Sequence, residues 1–264
     1  MTGLADADAS DGFRESFLAG DALGTWLSIG HPALVEAAAR AGFDYVAIDT
    51  EHTTMSLETV AELVRTAAGV PGDLAVFVRP ASNDPVRIKR VLDIGVDGII
   101  VPKVDTVDDA RELISATRYP PNGERGVASG RAAGYGEHFV DYVEDGHADL
   151  LVVAQIESAA GVENAAEIAD VDGVDSLFIG PADLSASLGV FAEWDAPELE
   201  SAMARVVDAG NAAGLPVGTL TVRAEDIADR AEHGFDYQIA GKDMTSLIET
   251  GERIRERYAE CASE

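Results

Sequence analysis

The stretch "AGFDYVAIDTEH" (residues 41–52) holds a helix end, a turn, a strand and a cluster of ionisable side chains in succession. The alanine-rich pattern "HPALVEAAARAGF" (31–43) leads into Gly42, where a glycine ends a helix in a left-handed conformation. The run Tyr45–Asp49 that follows is apolar up to its last residue, which predicts a buried strand. It opens onto Asp49, Glu51 and His52. The Gly-apolar-Asp joint of residues 42–44 recurs at 95–97, 173–175 and 234–236, each time between a helical pattern and a β-type run.

Working outward from these joints, eight β-type runs are found: 24–29, 45–49, 74–80, 98–103, 150–157, 176–183, 217–222 and 237–243. The joints precede the second, fourth, sixth and eighth. Helical patterns such as "SLETVAELVRTAAG" separate the runs, so parallel strands with crossover helices are expected. With 264 residues and no linker or break in composition, the prediction is an α/β protein, a single-domain (β/α)8 TIM barrel. An open doubly wound sheet is the second choice. A short acidic extension is expected over about residues 1–12, and the C-terminal helix is expected to pack on a neighbouring subunit. The least regular part is the glycine-rich connection "RYPPNGERGVASGRAAGYGEHF" (118–139). It lacks the GxxxxGK[ST] spacing of a phosphate loop.

Composition narrows the function. A net charge of −29 opposes nucleic-acid binding, because a phosphate backbone would be repelled. No apolar run approaches the roughly 18 residues that span a membrane. The acidic N-terminus lacks the order of a secretion signal, so a cytoplasmic protein is expected. Cys261 is the single cysteine and is read as a tail residue, which leaves no thiol catalysis or cysteine metal cluster. Lys89, Lys103 and Lys242 are the only lysines. Excess carboxylate with little lysine suits a solvent of high ionic strength, where the Debye length shrinks to about 3 Å at 1 M salt, so a salt-loving host is expected.

In a parallel barrel, chemistry gathers at the C-terminal ends of the strands. Those ends carry Asp49, Glu51 and His52; Arg79; Lys103; Gln155 and Glu157; Asp183; and Lys242 with Asp243. Glu157 and Asp183 are hard oxygen donors on neighbouring strands and suit Mg²⁺ or Mn²⁺; the competing reading is that they cap helices or pair with arginines. His52 is placed for proton transfer, or is a solvated loop residue. His31, His138, His147 and His233 lie in helical or polar loop contexts and are read as non-catalytic. Arg79, ending an apolar strand, either clamps an acidic ligand or forms an internal ion pair. In "FIGPADLSASLG" (178–189), Gly180 and Pro181 turn the chain, and the N–H groups near Ala182 and Asp183 could hold a carboxylate.

Taken in order, "AIDTEH", "VRP", "RYPPNGERG", "QIES" and "FIGPADLSASLG" resemble the HpcH/HpaI aldolase family, over nearly the whole chain from "GTWLSIG" to "AGKDM". The resemblance implies a class II, metal-dependent pyruvate aldolase similar to 4-hydroxy-2-oxo-heptane-1,7-dioate aldolase, a (β/α)8 barrel that is typically hexameric. It implies Glu157 and Asp183 as ligands of a divalent cation, Mg²⁺ or Mn²⁺ with Co²⁺ as a further option. His52 becomes the catalytic base or water activator, supported by Asp49. Asp93 is its carboxylate partner, offered by a neighbouring subunit. Arg79 contacts the oxygen of the pyruvate enolate and Gln155 lines the pocket. The backbone at Gly180 and Ala182 holds the pyruvate carboxylate, and Leu220 touches the aldehyde end.

The sequence departs from the family pattern at Thr50, where "IDGEH" is common, in a shortened "GVASGRAAGYG", and at Lys103 and Lys242, whose strand ends are often uncharged. These departures bear on the aldehyde partner. The two lysines are also formal candidates for class I Schiff-base chemistry. Two other functions stay in view: a carbon–carbon lyase resembling the citrate lyase β-subunit and malyl-CoA lyase, and a non-catalytic barrel that binds oxo acids. The chain shows no segment for a CoA tail, and binding alone does not need His52.

Overall fold

The computed structural model describes residues 7–144 and 149–262; His147 lies outside the described residues. The strands are β1 (Gly24–Leu27), β2 (Tyr45–Asp49), β3 (Ala75–Arg79), β4 (Gly98–Val101), β5 (Leu151–Ile156), β6 (Ser176–Ile179), β7 (Val217–Thr221) and β8 (Tyr237–Lys242). Each pairs in parallel with the next, and β8 closes on β1. The predicted (β/α)8 barrel is therefore the fold, and the open sheet is excluded. Several strands end sooner than their apolar runs. β4 stops at Val101 before Lys103 turns left-handed with φ 57°, and β6 stops at Ile179 because a helix starts at Pro181.

The four joints behave alike. Gly42, Gly95, Gly173 and Gly234 have φ of 86°, 81°, 102° and 83°, conformations open to glycine at little steric cost. The aspartate two residues on then clamps the preceding strand. Asp44, Asp97, Asp175 and Asp236 each accept, through Oδ2, the N–H of Leu23, Val76, Val152 and Val217 respectively, at 2.7–2.8 Å. Each aspartate returns its own N–H to the carbonyl of the same residue. Every even-numbered strand is thus bolted to the odd one before it at the N-terminal end of the barrel.

That end is plugged by the helix Ala7–Leu18, so from Ala7 onward the expected acidic extension is part of a helix. The reason is the Phe13–Phe17 pair, which at i, i+4 shares one helix face. Phe17 is fully buried, with its ring 5.1 Å from Phe77 and 4.8 Å from Tyr237. Glycines make room for this aromatic floor: a Cβ on Gly24, Gly98 or Gly218 would lie 2.1–2.3 Å from the rings of Tyr45, Phe77 or Tyr237. Arg14 fastens the plug through Asp175 at 2.5 Å.

The connection 118–139 follows the helix Val107–Thr117 and leads to β5, so it lies at the plugged end, opposite the strand C-termini. Around the barrel wall, the helices pack on the outer side of the strands in one continuous apolar layer. The C-terminal helix Asp243–Ala262 has no buried residue, and Leu247, Ile248, Ile254 and Tyr258 on it are 55–77% exposed. Cys261, on this helix, is exposed. Among the described residues, no helix is long and apolar enough to cross a membrane.

Candidate active site

Alternation along the strands builds the site. Tyr45 and Ala47, Ala75 and Phe77, and Leu151 and Val153 face the barrel interior. The same period of two brings Asp49, Arg79, Gln155 and Glu157 to the inner face at the open mouth. All four are buried, which for charged groups requires partners. Leu220 on β7 packs on the same inner cluster.

Arg79 is the centre of the arrangement. Its Nε and Nη2 donate to Asp49 Oδ1 and Oδ2 at 3.0 and 2.8 Å, a bidentate pair, and its guanidinium lies 4.7 Å over the Trp26 ring. Nη1 sits 3.0 Å from Glu51 Oε2, an ion pair outside hydrogen-bond angles. Asp49 also accepts the N–H of Glu51 and of His52, at 3.0 and 3.4 Å. Burial pushes the Asp49 carboxyl upward, but the Arg79 bonds and charge outweigh it and hold the group below its ordinary value. Thus Arg79 does form an internal ion pair, and that pair fixes the guanidinium at the mouth with N–H bonds to spare.

Glu157 follows the last residue of β5 and feels the charge of Arg79. Its Oε1 accepts the N–H of Lys103, the residue in the left-handed conformation, at 2.9 Å, and its Oε2 accepts a short hydrogen bond from Gln155 Nε2. Burial, then the negative charges of Glu51 and Asp183, push Glu157 up to about 7. Glu51 is raised for the same first reason, with Asp49 and Asp183 adding to it. Asp183 stands in the first turn of the helix Pro181–Ser187, exposed, with no hydrogen bond or ion pair to its side chain among the described residues. It neither caps the helix nor pairs with an arginine. Gly180 keeps this corner open: a Cβ there would lie 2.9 Å from Gln155 Nε2 and 3.1 Å from Glu157 Oε2.

Glu51 Oε2 and Gln155 Oε1 are buried without a hydrogen-bond partner. Hard oxygen donors that repel one another, beside the unpartnered Gln155 Oε1 and a Glu51 Oε2 that has only ion-pair contacts, have the chemistry of a hard-cation site. No group of three or more His, Cys, Asp and Glu side chains poised to hold a metal occurs among the described residues. A cation here would rest on two carboxylates and its own water.

His52 lies at the same mouth, largely exposed, with Nε2 3.9 Å from Glu51 Oε2. Asp93 is elsewhere. It ends the helix Pro85–Leu92, ahead of the Gly95 joint, at the plugged end of its own barrel. There Arg125, 1% exposed and lying over the Tyr119 ring, holds Asp93 Oδ1 at 3.2 Å. One chain therefore brings together Asp49, His52, Arg79, Gln155, Glu157, Gly180, Ala182, Asp183 and Leu220, but not Asp93. Sequence reading left two contributors without a role: Glu51, noted only as a strand-end acid, and Trp26. The period of two along "GTWL" was the available signal for Trp26.

A family model described as HpcH/HpaI aldolase/citrate lyase matches residues 22–250. The chain belongs to this family. It is 38% identical over 247 residues to a 4-hydroxy-2-oxo-heptane-1,7-dioate aldolase of Shigella sonnei (strain Ss046), covering 91% of this chain and 92% of that one. It is 37% identical to a hydroxypyruvate/pyruvate aldolase of Chromohalobacter salexigens, over 89% and 92% of the two chains. A solved HpcH/HpaI aldolase/citrate lyase family protein from Burkholderia cenocepacia J2315 superposes with a TM-score of 0.89 at 35% identity, covering 94% of this chain and 99% of the other. The protein is an aldolase-type carbon–carbon lyase.

Proposed function

We propose that the protein reversibly cleaves 4-hydroxy-2-oxo acids to pyruvate and an aldehyde, with a divalent cation, Mg²⁺ or Mn²⁺, on Glu157 and Asp183. The observation that carries this reading is the meeting, at one barrel mouth, of a pre-fixed guanidinium with a group of carboxylates, where burial first and then the charges of Glu51 and Asp183 push Glu157 up to about 7. Such crowding is relieved by a cation. When bound, the cation supplies Lewis-acid polarisation of the 2-oxo and carboxylate oxygens of the substrate.

The remaining steps belong to the chain. Arg79, immobilised by Asp49 and Trp26, presents positive charge where the enolate oxygen develops, so little reorganisation accompanies bond breaking. The first-turn N–H groups at Ala182 and Asp183, free of intrahelical partners, hold the substrate carboxylate. Gly180 leaves space for it, and Gln155 lines the pocket. His52 takes the proton of the 4-hydroxyl as the C3–C4 bond breaks and returns it in condensation. Leu220 borders the aldehyde end.

The same reading makes the enzyme a homo-oligomer, a hexamer by family resemblance. Asp93, held by Arg125 at the plugged end, would then serve His52 of an adjacent copy, and the unpartnered apolar stripe of the helix 243–262 would be covered by another copy. The deciding experiment is pyruvate release from 4-hydroxy-2-oxo acids with Mg²⁺ or Mn²⁺, with and without EDTA. Turnover abolished by EDTA and restored by cation is expected. EDTA-resistant turnover would assign the chemistry to a lysine, and CoA-dependent turnover to a citrate lyase-like reaction.

A further inference from the structure

Strand β8 meets β1 out of step. Gly24 is the partner of Ile239, yet Trp26, two residues further, is the partner of Lys242, three residues further. The extra residue is absorbed as a bulge next to Gly241, whose φ is 80°. The consequence is directional. Ile239 faces the interior, so in an unbroken strand Gly241 would face inward and Lys242 would face the outer helices. The bulge instead makes Lys242 the partner of Trp26, and partners in a parallel ladder share a face. Trp26 is inside, under the Arg79 guanidinium. Lys242 therefore stands on the mouth side of the wall, beside the Trp26–Arg79 pair and one strand away from Leu220.

Lys242 is half-buried, and its ammonium has no ion pair or hydrogen bond to a described residue, although the chain has 48 acidic residues. The adjacent Asp243 is occupied by the N–H groups of Ser28 and Ile29, both at 2.7 Å. An ammonium on this wall without a partner of its own is a point charge open to an anionic group of a ligand. The pyruvate end of the substrate is assigned to the β5–β6 side of the mouth. Lys242, on β8, meets the other end.

We propose that Lys242 is a specificity-determining residue that binds an anionic group, carboxylate or phosphate, on the aldehyde partner. The inference rests on the aldolase reading above. The test compares wild type with Lys242→Gln, Lys242→Met and Lys242→Arg in pyruvate addition at fixed ionic strength. Two matched pairs of acceptors are used: succinic semialdehyde against butanal, and glyceraldehyde 3-phosphate against glyceraldehyde. In the Gln and Met variants the anionic-to-neutral ratio of kcat/KM is expected to fall about tenfold to a hundredfold in at least one pair, with partial recovery in the Arg variant. The pair that responds identifies the anion. An equal loss on charged and neutral acceptors, or unchanged ratios in both pairs, overturns the proposal. Exchange of the pyruvate methyl protons with D₂O by the wild type keeps the two readings apart. Exchange with unchanged ratios sinks the role of Lys242 alone, whereas a wild type inert to exchange sinks the aldolase reading and this inference with it.

Discussion

At Arg79 the sequence offered two roles, ligand clamp or internal ion pair, and the geometry shows why they are one. A guanidinium anchored on Asp49 by two bonds cannot swing away from the mouth. Arg79→Ala is expected to lower kcat about 10²- to 10³-fold, and Arg79→Lys to lose most of that activity too, since an ammonium cannot make the bidentate contact. Steady-state kinetics with circular dichroism as a folding check measures both; a kcat within a few-fold of wild type would remove Arg79 from the mechanism. Glu157 gives a pH signature. Its folded-state value of about 7 lies above the ordinary carboxylate value of 4.5. Its contribution to the stability of the metal-free protein is therefore full below about pH 4.5 and is lost as pH rises through about 7. Glu157→Gln removes that dependence. In EDTA the variant is expected to gain Tm relative to wild type between pH 5 and pH 8, while losing any gain in Tm from added Mn²⁺. A Tm difference that stays flat across that range would contradict the buried, crowded state of this carboxylate.

At the scale of elements, the repeated joint is what a reader of the sequence could see most clearly. Glycine marks the helix end because its φ is positive, and the aspartate after it clamps the strand before. The glycine was legible as a helix stop; the aspartate was visible as a repeat, but its partner, 19–23 residues back, was not. Asp97→Ala leaves the buried Val76 N–H unpaired and is expected to cost about 1–3 kcal/mol. Asp97→Asn keeps an acceptor oxygen and should cost less, as urea unfolding would show; equal losses would mean that the carboxylate does not clamp β3. The helix over residues 7–18 escaped the sequence reading because its beginning is acidic and only Phe13 and Phe17 declare a buried face. The bulge at Gly241 escaped for a similar reason: one positive-φ glycine in an apolar run looks like any other until its partner strand is known.

For the whole molecule, charge and assembly are linked. Forty-eight acidic residues against nineteen basic ones repel one another most at low ionic strength. Tm is expected to rise as KCl goes from millimolar to molar, and a fall would refute adaptation to salt. The helix 243–262 has no fully buried residue within its own chain, and its large apolar side chains are exposed. Replacing Leu247 and Ile254 by Glu is expected to yield smaller species in sedimentation velocity and, because Asp93 would be lost from the adjacent mouth, to lower kcat. A variant that sediments as wild type would leave that face without a subunit partner.

The order of strands, the glycine joints and the identity of the polar strand ends were determined by the sequence alone, because period-two burial and left-handed turns are local properties of a chain. Tertiary structure decided closure of the barrel, the grip of Asp49 and Trp26 on Arg79, the lift of Glu157 by burial and by the charges of Glu51 and Asp183, and the face on which Lys242 stands. Each of these depends on distances between residues tens to hundreds of positions apart, which no local pattern encodes.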